Sequence, residues 1–113
     1  MNKKGIFMKK IFISQPMFGK STDQIMKDRK RIIEEIKTKF QDDVKILDSI
    51  IRYIPRDATP LWFLGKSIEV LSKADIIYMG KGWQNSRGCR IEYECAKNYG
   101  IQIVFEEDNI DED

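Results

Sequence analysis

Hydrophobic residues alternate between two spacings along the chain, which predicts strands that alternate with helices. Four short runs rich in branched apolar residues are typical of buried strands: residues 10–14, 44–47, 75–79 and 101–105. Three longer segments repeat apolar residues every three or four positions, the spacing of one helical face. These faces carry Ile25, Arg29, Ile32, Ile33, Ile36 and Phe40 in the first helix, Leu61, Leu64, Ile68 and Leu71 in the second, and Gly88, Ile91, Cys95, Ala96 and Tyr99 in the third.

Local signals mark where these helices begin and end. Ser21, with Gln24 three residues later, predicts a capping box at the start of the first helix. Thr59 followed by Pro60 predicts an N-cap and an N1 proline for the second. Ser86 is a natural N-cap for the third helix, and Gly100 is expected at its C′ position.

The order of elements predicts a single-domain flavodoxin-like (Rossmann-like) α/β fold, a three-layer sandwich with a four-stranded parallel sheet. The domain is expected over residues 9–105, after an N-terminal extension (1–8, with Met8 as an alternative start) and before an acidic tail (106–113) that frays or covers a partner. Such folds bind ligands beyond the carboxyl ends of the strands. Three loops are expected to meet there: 14–20, 48–59 and 80–87.

Composition narrows the function classes. The 113 residues, 42% hydrophobic, fit one compact domain, and a net charge of +2 predicts neither nucleic-acid nor membrane binding. No apolar run approaches the ~20 residues of a membrane span. The two cysteines form no CxxC motif, so the chain is expected to be cytoplasmic and reduced, without a metal site. With no histidine, any chemistry must use carboxylates, hydroxyls, Tyr, Lys or Arg.

Glu92 is the most informative residue, because it lies on the apolar face of the third predicted helix. Glu94, two residues later, points to the opposite face. A buried carboxylate must be paired, hydrogen-bonded or used, and a nearby helix N-terminus favours its charged form. Two interpretations follow: an ionised nucleophile for sugar chemistry, or a structural Glu bonded to a strand or a neighbouring subunit.

Two loops offer candidate ligand contacts. The first follows a strand and opens on a helix, as phosphate-binding loops do, but it lacks the GxGxxG and Walker spacings and also fits an ordinary turn. Lys20 would give a phosphate a point charge or stay solvated. In the second loop Arg87 offers an anion fork and Trp83 a stacking face. Trp62 and Trp83 equally fit core or interface positions, and for Trp62 core packing is expected. The candidate ligand-binding residues are Ser14, Gln15, Pro16, Met17, Gly19, Lys20, Trp83, Asn85, Ser86, Arg87 and Gly88.

Residues 86–96 resemble the signature helix of the nucleoside 2-deoxyribosyltransferase superfamily, which includes deoxynucleoside 5′-monophosphate N-glycosidases. The shared pattern is S-x-G-x-x-x-E-x-x-x-A. The segments ISQPMFGKS, PLWFLGKSIEVLSKAD and GWQNSRGCRIE look like a branch of short relatives frequent in phage genomes.

The resemblance implies a function. Glu92 takes the place of the covalent nucleophile, Ser86 that of a contact to the 5′-phosphate, and residues 14–20 line the sugar and base. The implied reaction is cleavage of a nucleoside or nucleotide N-glycosidic bond, or deoxyribosyl transfer, with retention through a glycosyl-enzyme. It needs no metal or organic cofactor. A homodimer or larger homo-oligomer is expected, since the family's sites are commonly completed by an adjacent subunit.

The sequence also departs from the family pattern. The family carries an Asp eight residues before the third strand, where this chain has Ser67. Acid assistance is then expected from Asp57, Asp48 or a neighbouring subunit, unless it is missing. The chain also lacks a clear fifth strand and final helix. Two alternatives to an enzyme are a non-catalytic module that senses or sequesters a nucleotide-derived ligand, and a structural or interaction domain.

Overall fold

The computed structural model describes residues 8–41 and 43–107. Its four strands form one parallel sheet in the order β2-β1-β3-β4, which confirms the predicted flavodoxin-like architecture. The elements are β1 (Lys9–Ser14), α1 (Thr22–Phe40), β2 (Val44–Ile46), α2 (Pro60–Leu71), β3 (Ile76–Met79), a 3₁₀ turn (Trp83–Asn85), α3 (Arg87–Asn98) and β4 (Gln102–Phe105). The predicted extension up to Phe7 and the tail from residue 108 onwards lie outside the described residues.

Each face of the sheet supports its own hydrophobic cluster, because side chains alternate along the strands. Helix α1 covers one face and α2 and α3 cover the other. The α1 cluster contains Ile11, Ile13, Ile32, Ile36, Ile76 and Tyr78. The opposite cluster contains Phe12, Leu71, Ile77, Met79, Cys89 and Ala96. Ser14 follows the alternation of Phe12, so its side chain is directed towards α3.

The ends of β1 and β3 approach each other closely where the strand order reverses. The N–H of Gly80 donates to the carbonyl of Ser14 over 2.8 Å, which extends the pairing beyond β3. A Cβ at Gly80 would lie 3.3 Å from that carbonyl oxygen and 3.2 Å from Cδ1 of Ile32. This junction is where flavodoxin-like folds place their ligands.

The capping predictions hold at most helix ends. Thr59 and Ser86 accept hydrogen bonds from the N–H groups of Trp62 and Cys89, and Gly100 has the left-handed φ of 76° expected of a C′ residue. At Ser21 only half of the capping box forms: Ser21 accepts from the N–H of Gln24, whose side chain donates to Asp28 instead. None of the helices in the described segments is both long and apolar enough to span a bilayer.

Several residues expected on buried faces are exposed. Leu61 is 74% exposed because it lies in the first turn of α2, while that helix meets the core through Ile68 and Leu71 near its other end. In α3 the buried residues are Cys89, Glu92 and Ala96, so the face is centred on Glu92. Ile91 and Tyr99, the latter 84% exposed, lie to the side.

The core-packing expectation for Trp62 is also not met. Its ring is half-buried and packs edge-on against Phe63, with ring centroids 5.1 Å apart. The ammonium of Lys66 lies 5.7 Å from the Trp62 ring. This small aromatic cluster therefore belongs to the surface of α2 and to neither core.

Candidate functional site

The centre of the site is a hydrogen bond between the end of β1 and the first turns of α3. The hydroxyl of Ser14 donates to Oε1 of Glu92 over 2.5 Å. Both residues are buried, Glu92 being only 7% exposed. Ser14 is the last residue of β1, on the α3 side of the sheet, and Glu92 lies on the second turn of α3. Strand alternation and helix periodicity thus direct the two side chains to one point.

The electrostatics of Glu92 differ from the prediction of a fully ionised carboxylate. Burial raises the pKa of Glu92 to about 7, against the hydrogen bond from Ser14, which lowers it. Desolvation therefore outweighs the groups that favour the charged form. At neutral pH the carboxyl is present in comparable amounts as acid and carboxylate, so it can accept and donate protons.

Cys89 and Ser86 lie at the start of the same helix as Glu92. Burial raises the pKa of the Cys89 thiol, while hydrogen bonds with Ser14 and Ser86 oppose the shift. The thiol is therefore protonated at neutral pH. Around Gly88, on the same turn, no heavy atom of the described residues outside the helix's own backbone and the two neighbouring residues lies within 4 Å of the position a Cβ would take. The start of α3 is therefore open on this side.

The first predicted loop has two different surroundings. Gln15 is buried and bonds to α1, whereas Met17 is exposed. Gly19 has a φ of 81° in a turn closed by a hydrogen bond from the N–H of Lys20 to the carbonyl of Met17. The ammonium of Lys20 pairs with Asp28 at 2.9 Å and is therefore not simply solvated.

The second loop lies against the first and against α3. Pro16 lies close to this loop, since a Cβ at Gly82 would lie 3.7 Å from its Cγ. The Trp83 ring stacks on Tyr93 with centroids 4.7 Å apart, and Phe105 joins the stack. Much of the predicted stacking face is thus covered by the chain itself.

Two further candidates of the second loop are exposed. Arg87 is the first residue of α3, directly after the N-cap Ser86. Asn85 is held in the 3₁₀ turn by its backbone bond to the carbonyl of Gly82. Arg87, Ser86 and the free N–H groups of the helix end are therefore adjacent, with the positive end of the helix dipole behind them.

Within the described residues, none of the candidates for acid assistance forms a hydrogen bond with Glu92. Asp57 is exposed in a turn and has no hydrogen bond or ion pair within the described part of the chain. Asp48 is exposed and engaged by Arg52 and by the N–H of Ile50. Ser67 is half-buried on α2. Among the described residues, Glu92 therefore forms no hydrogen bond with a second carboxyl group.

A second set of buried charges was not predicted. Glu106, expected to begin a frayed tail, is buried: it accepts two hydrogen bonds from Arg31 and one from the N–H of Lys81. Burial favours a higher pKa for Glu106, but these donors lower it overall. Arg31 also pairs with Asp28, and the hydrogen bond from Lys20 is the largest of several contacts that lower the pKa of Asp28 to about 2. The sequence signal is the position of Glu106 directly after the fourth strand.

Two concavities lie beside the site and do not contain Glu92. One, of about 350 Å³, is lined by Gly80, Lys81, Gly82, Trp83, Gln84, Phe105 and Glu106. The other, of about 580 Å³, follows the outer side of α3 past Trp83, Tyr93 and Tyr99. The first adjoins the strand ends, whereas the buried pair Ser14–Glu92 carries the more distinctive chemistry. Residues 8–41 and 43–107 contain no group of three Cys, Asp or Glu side chains placed to hold a metal ion.

The fold and the site define a small flavodoxin-like α/β protein with a buried carboxyl at the carboxyl edge of its sheet. Residues 9–105 match the family described as "Domain of unknown function (DUF4406)", and the chain belongs to that family. No curated protein matches the sequence. A conserved protein from Enterococcus faecalis V583, known from a crystal structure, has a similar fold. It is 18% identical with a TM-score of 0.68, over 94% of this chain and 68% of that one.

Proposed function

We propose that the chain cleaves the N-glycosidic bond of a nucleoside or nucleotide, or transfers its deoxyribosyl group, with Glu92 as nucleophile. The observation that carries the proposal is the buried Ser14–Glu92 pair at the strand-order reversal. A second support is the resemblance of residues 86–96 to the signature helix of the nucleoside 2-deoxyribosyltransferase superfamily. The open space at Gly88 leaves room for a sugar next to the carboxyl.

The proposed reaction proceeds with retention in two displacements. In the first, an oxygen of ionised Glu92 bonds to the anomeric carbon while the bond from that carbon to the base nitrogen breaks. The electron pair leaves with the base, which takes up a proton. In the second, water or another nucleobase bonds to the anomeric carbon, releases Glu92 and loses a proton. The carboxyl must be ionised at the start, so its pKa of about 7 implies activity that rises as the pH passes neutrality.

The start of α3 is the proposed phosphate position. Ser86 already accepts a hydrogen bond from the N–H of Cys89, and its own hydroxyl proton remains able to donate to a phosphate. Arg87 adds a charged donor, and the helix end adds backbone N–H groups. A nucleoside 5′-phosphate with its sugar at Glu92 is the proposed ligand.

We propose that Asp57, or a group of a neighbouring subunit, donates the proton that the departing base takes up. Asp57 belongs to the long loop between β2 and α2, which follows the carboxyl end of β2. We therefore also propose a homodimer or larger closed assembly in which a second copy lies against this edge of the sheet.

A specific observation favours a second function, binding without cleavage. A carboxyl with a pKa near 7 that, within the described residues, accepts a hydrogen bond from Ser14 is well suited to exchange hydrogen bonds with a sugar hydroxyl. In that case the protein senses or sequesters a nucleotide-derived ligand, and the Ser86–Arg87 end of α3 keeps the same role.

One experiment separates the two functions. The protein is incubated with a panel of nucleosides and 5′-monophosphates, and free base is measured by chromatography. Glu92→Gln is compared with Glu94→Gln, which changes an exposed carboxylate of the same helix. Release that Glu92→Gln abolishes and Glu94→Gln preserves supports the enzyme. Tight binding of an intact ligand supports the binding module, and equal loss from both variants contradicts a nucleophilic Glu92.

A further inference from the structure

We propose that Gln15 and Arg29 form a second ligand-binding site, on the α1 side of the sheet edge, for an oxyanion that carries a hydroxyl group. Suitable ligands are a singly protonated phosphate or a hydroxycarboxylate. The site lies at the carboxyl ends of β1 and β2, whereas Glu92 lies on the opposite side of the sheet.

Gln15 provides an acceptor that nothing in the described chain satisfies. The residue is 6% exposed, and its Nε2 donates to the carbonyl of Ile25 in α1 over 3.1 Å. That carbonyl can only accept, so the nitrogen must face it and the orientation of the amide is fixed. Oε1 therefore points elsewhere, and it is buried without a hydrogen-bond partner among the described residues. An unsatisfied buried acceptor is costly, so the position favours a ligand that donates a hydrogen bond to it.

Arg29 provides an excess of donors in the same layer. It lies on α1 one turn after Ile25 and is only 8% exposed. Within the described residues, the side chain of Arg29 forms a single hydrogen bond. It is a long one, 3.4 Å from Nη2 to the carbonyl of Leu47 at the end of β2. A guanidinium has five N–H donors, so most of them are free to bind an anion.

The neighbouring carboxylates do not neutralise Arg29. Asp28, adjacent in sequence, is engaged by Lys20, Gln24 and Arg31. Asp48 acts on Arg29 only through space, because its oxygens contact Arg52 and the N–H of Ile50. The carbonyl of Ile25 that accepts from Gln15 also faces the helical N–H of Arg29 four residues later, so the Gln15 amide lies close to Arg29. A buried cation without a salt bridge in the described chain, close to a buried acceptor without a donor there, suits a ligand with the opposite features. An oxyanion accepts from Arg29, and its hydroxyl donates to Oε1 of Gln15.

This position is separate from the proposed catalytic carboxyl. Ser14 and Gln15 are consecutive residues whose side chains leave the strand end in opposite directions, one towards Glu92 and the other towards α1. An anion at Arg29 is therefore also distinct from one bound by Ser86 and Arg87 at the start of α3.

The experiment follows Arg29 itself. The full chain is labelled with ¹⁵N, and the Nε–Hε resonance of Arg29 is identified by its loss from Arg29→Lys. Inorganic phosphate and lactate are titrated separately at constant ionic strength. We expect a saturable shift of this resonance with at least one of them, and the one that acts identifies the ligand class. In Gln15→Leu, which keeps the volume but removes the acceptor, the dissociation constant is expected to rise about tenfold or more.

Arg87→Gln is the matched control, since it removes a charge from the other proposed anion position. We expect it to leave the Arg29 response unchanged. The proposal is overturned if neither anion produces a saturable shift in the unmodified protein, if Gln15→Leu binds equally well, or if Arg87→Gln abolishes the response. The unmodified protein alone can give the first of these results, so the test does not depend on the folding of a variant.

Discussion

Ser14 and Glu92 are 78 positions apart in the chain, yet the hydroxyl of the first lies 2.5 Å from a carboxyl oxygen of the second. The contact joins the last residue of β1 to the second turn of α3 and connects the sheet to the helix that follows its third strand. This hydrogen bond lowers the pKa of Glu92 and so favours the ionised carboxylate, whereas burial raises the pKa.

Removal of this hydroxyl should raise the pKa of Glu92 further. In Ser14→Ala the carboxylate loses its donor while burial remains, so its pKa is expected to move above 7 by about one unit or more, the value of a hydrogen bond to a charged group. The measurement is a pH titration of the ¹³C-labelled Glu92 carboxyl by NMR. Ser67→Ala, on α2, is the control and should leave the titration unchanged. An unaltered or lowered pKa in Ser14→Ala would show that the hydrogen bond has no net effect on ionisation.

Glu92→Gln should stabilise the fold at alkaline pH. The pKa of Glu92 is raised from 4.5 to about 7, so the folded protein holds more protons than the unfolded chain between these values. Stability is therefore lost as the pH rises through this window, and above it the cost is at most about 3 kcal/mol. Glutamine carries no charge and keeps an acceptor for Ser14. The gain in unfolding free energy should be large at pH about 8 and small at pH about 5.

Urea unfolding at the two pH values tests this, with Glu94→Gln as the exposed control that should differ little from the parent protein. If the two proteins, Glu92→Gln and the parent, differ in unfolding free energy by the same amount at both pH values, ionisation of Glu92 does not destabilise the fold.

The sequence predicts the fold well because its signals are local. Strand runs, the caps at Thr59 and Ser86, and Gly100 each depend on neighbouring residues, and their order implies the parallel sheet. Glu92 was predicted to be buried for the same reason. The sequence pattern favours an ionised Glu92, whereas burial raises its pKa, since the balance of burial against Ser14 depends on a contact between distant parts of the chain.

Other parts of the site also depend on long-range contacts. The pairing of Glu106 with Arg31 spans 75 positions and has no periodic signature. Leu61 and Tyr99 are exposed because they lie on helix turns that extend past the sheet. Apolar spacing alone does not show which turns do so.

The second buried carboxylate should matter for stability. Glu106→Gln removes the charge that accepts two hydrogen bonds from Arg31 and one from the N–H of Lys81. A loss of about 2 kcal/mol in unfolding free energy is expected, less than for a fully buried ion pair because Arg31 is partly exposed. Denaturant unfolding measures it. Glu107→Gln, an exposed neighbour, is expected to change stability by less than about 0.5 kcal/mol, and equal effects would contradict a structural role specific to Glu106.

Ligands with a phosphate should bind more tightly than the corresponding nucleosides. Ser86, Arg87 and the N–H groups of α3 meet at one end of the helix, and a charged contact is worth about one to two decades of affinity. Calorimetry of a nucleoside and its 5′-monophosphate gives the comparison. Arg87→Gln should reduce the difference. Equal affinity of the unmodified protein for the nucleoside and its 5′-monophosphate would show that the start of α3 does not bind the phosphate.

The protein is expected to form a symmetric homodimer or a larger closed assembly. Phe18, Tyr53 and Leu61 are highly exposed, and Trp62 and Phe63 add aromatic surface on α2. A small monomer seldom exposes so much apolar surface. Light scattering at micromolar concentration measures the mass. A stable monomer that still binds its ligand tightly would show that each site is complete within one chain.

Burial gives Glu92 a pKa near neutrality, which in most proteins is a property of histidine. Histidine is the side chain whose ordinary pKa lies near neutrality, and this sequence contains none. A carboxyl with a pKa of about 7 therefore takes over that range of the titration curve. Proton uptake measured between about pH 6 and 8 is then free of any imidazole background and includes the titration of this buried side chain.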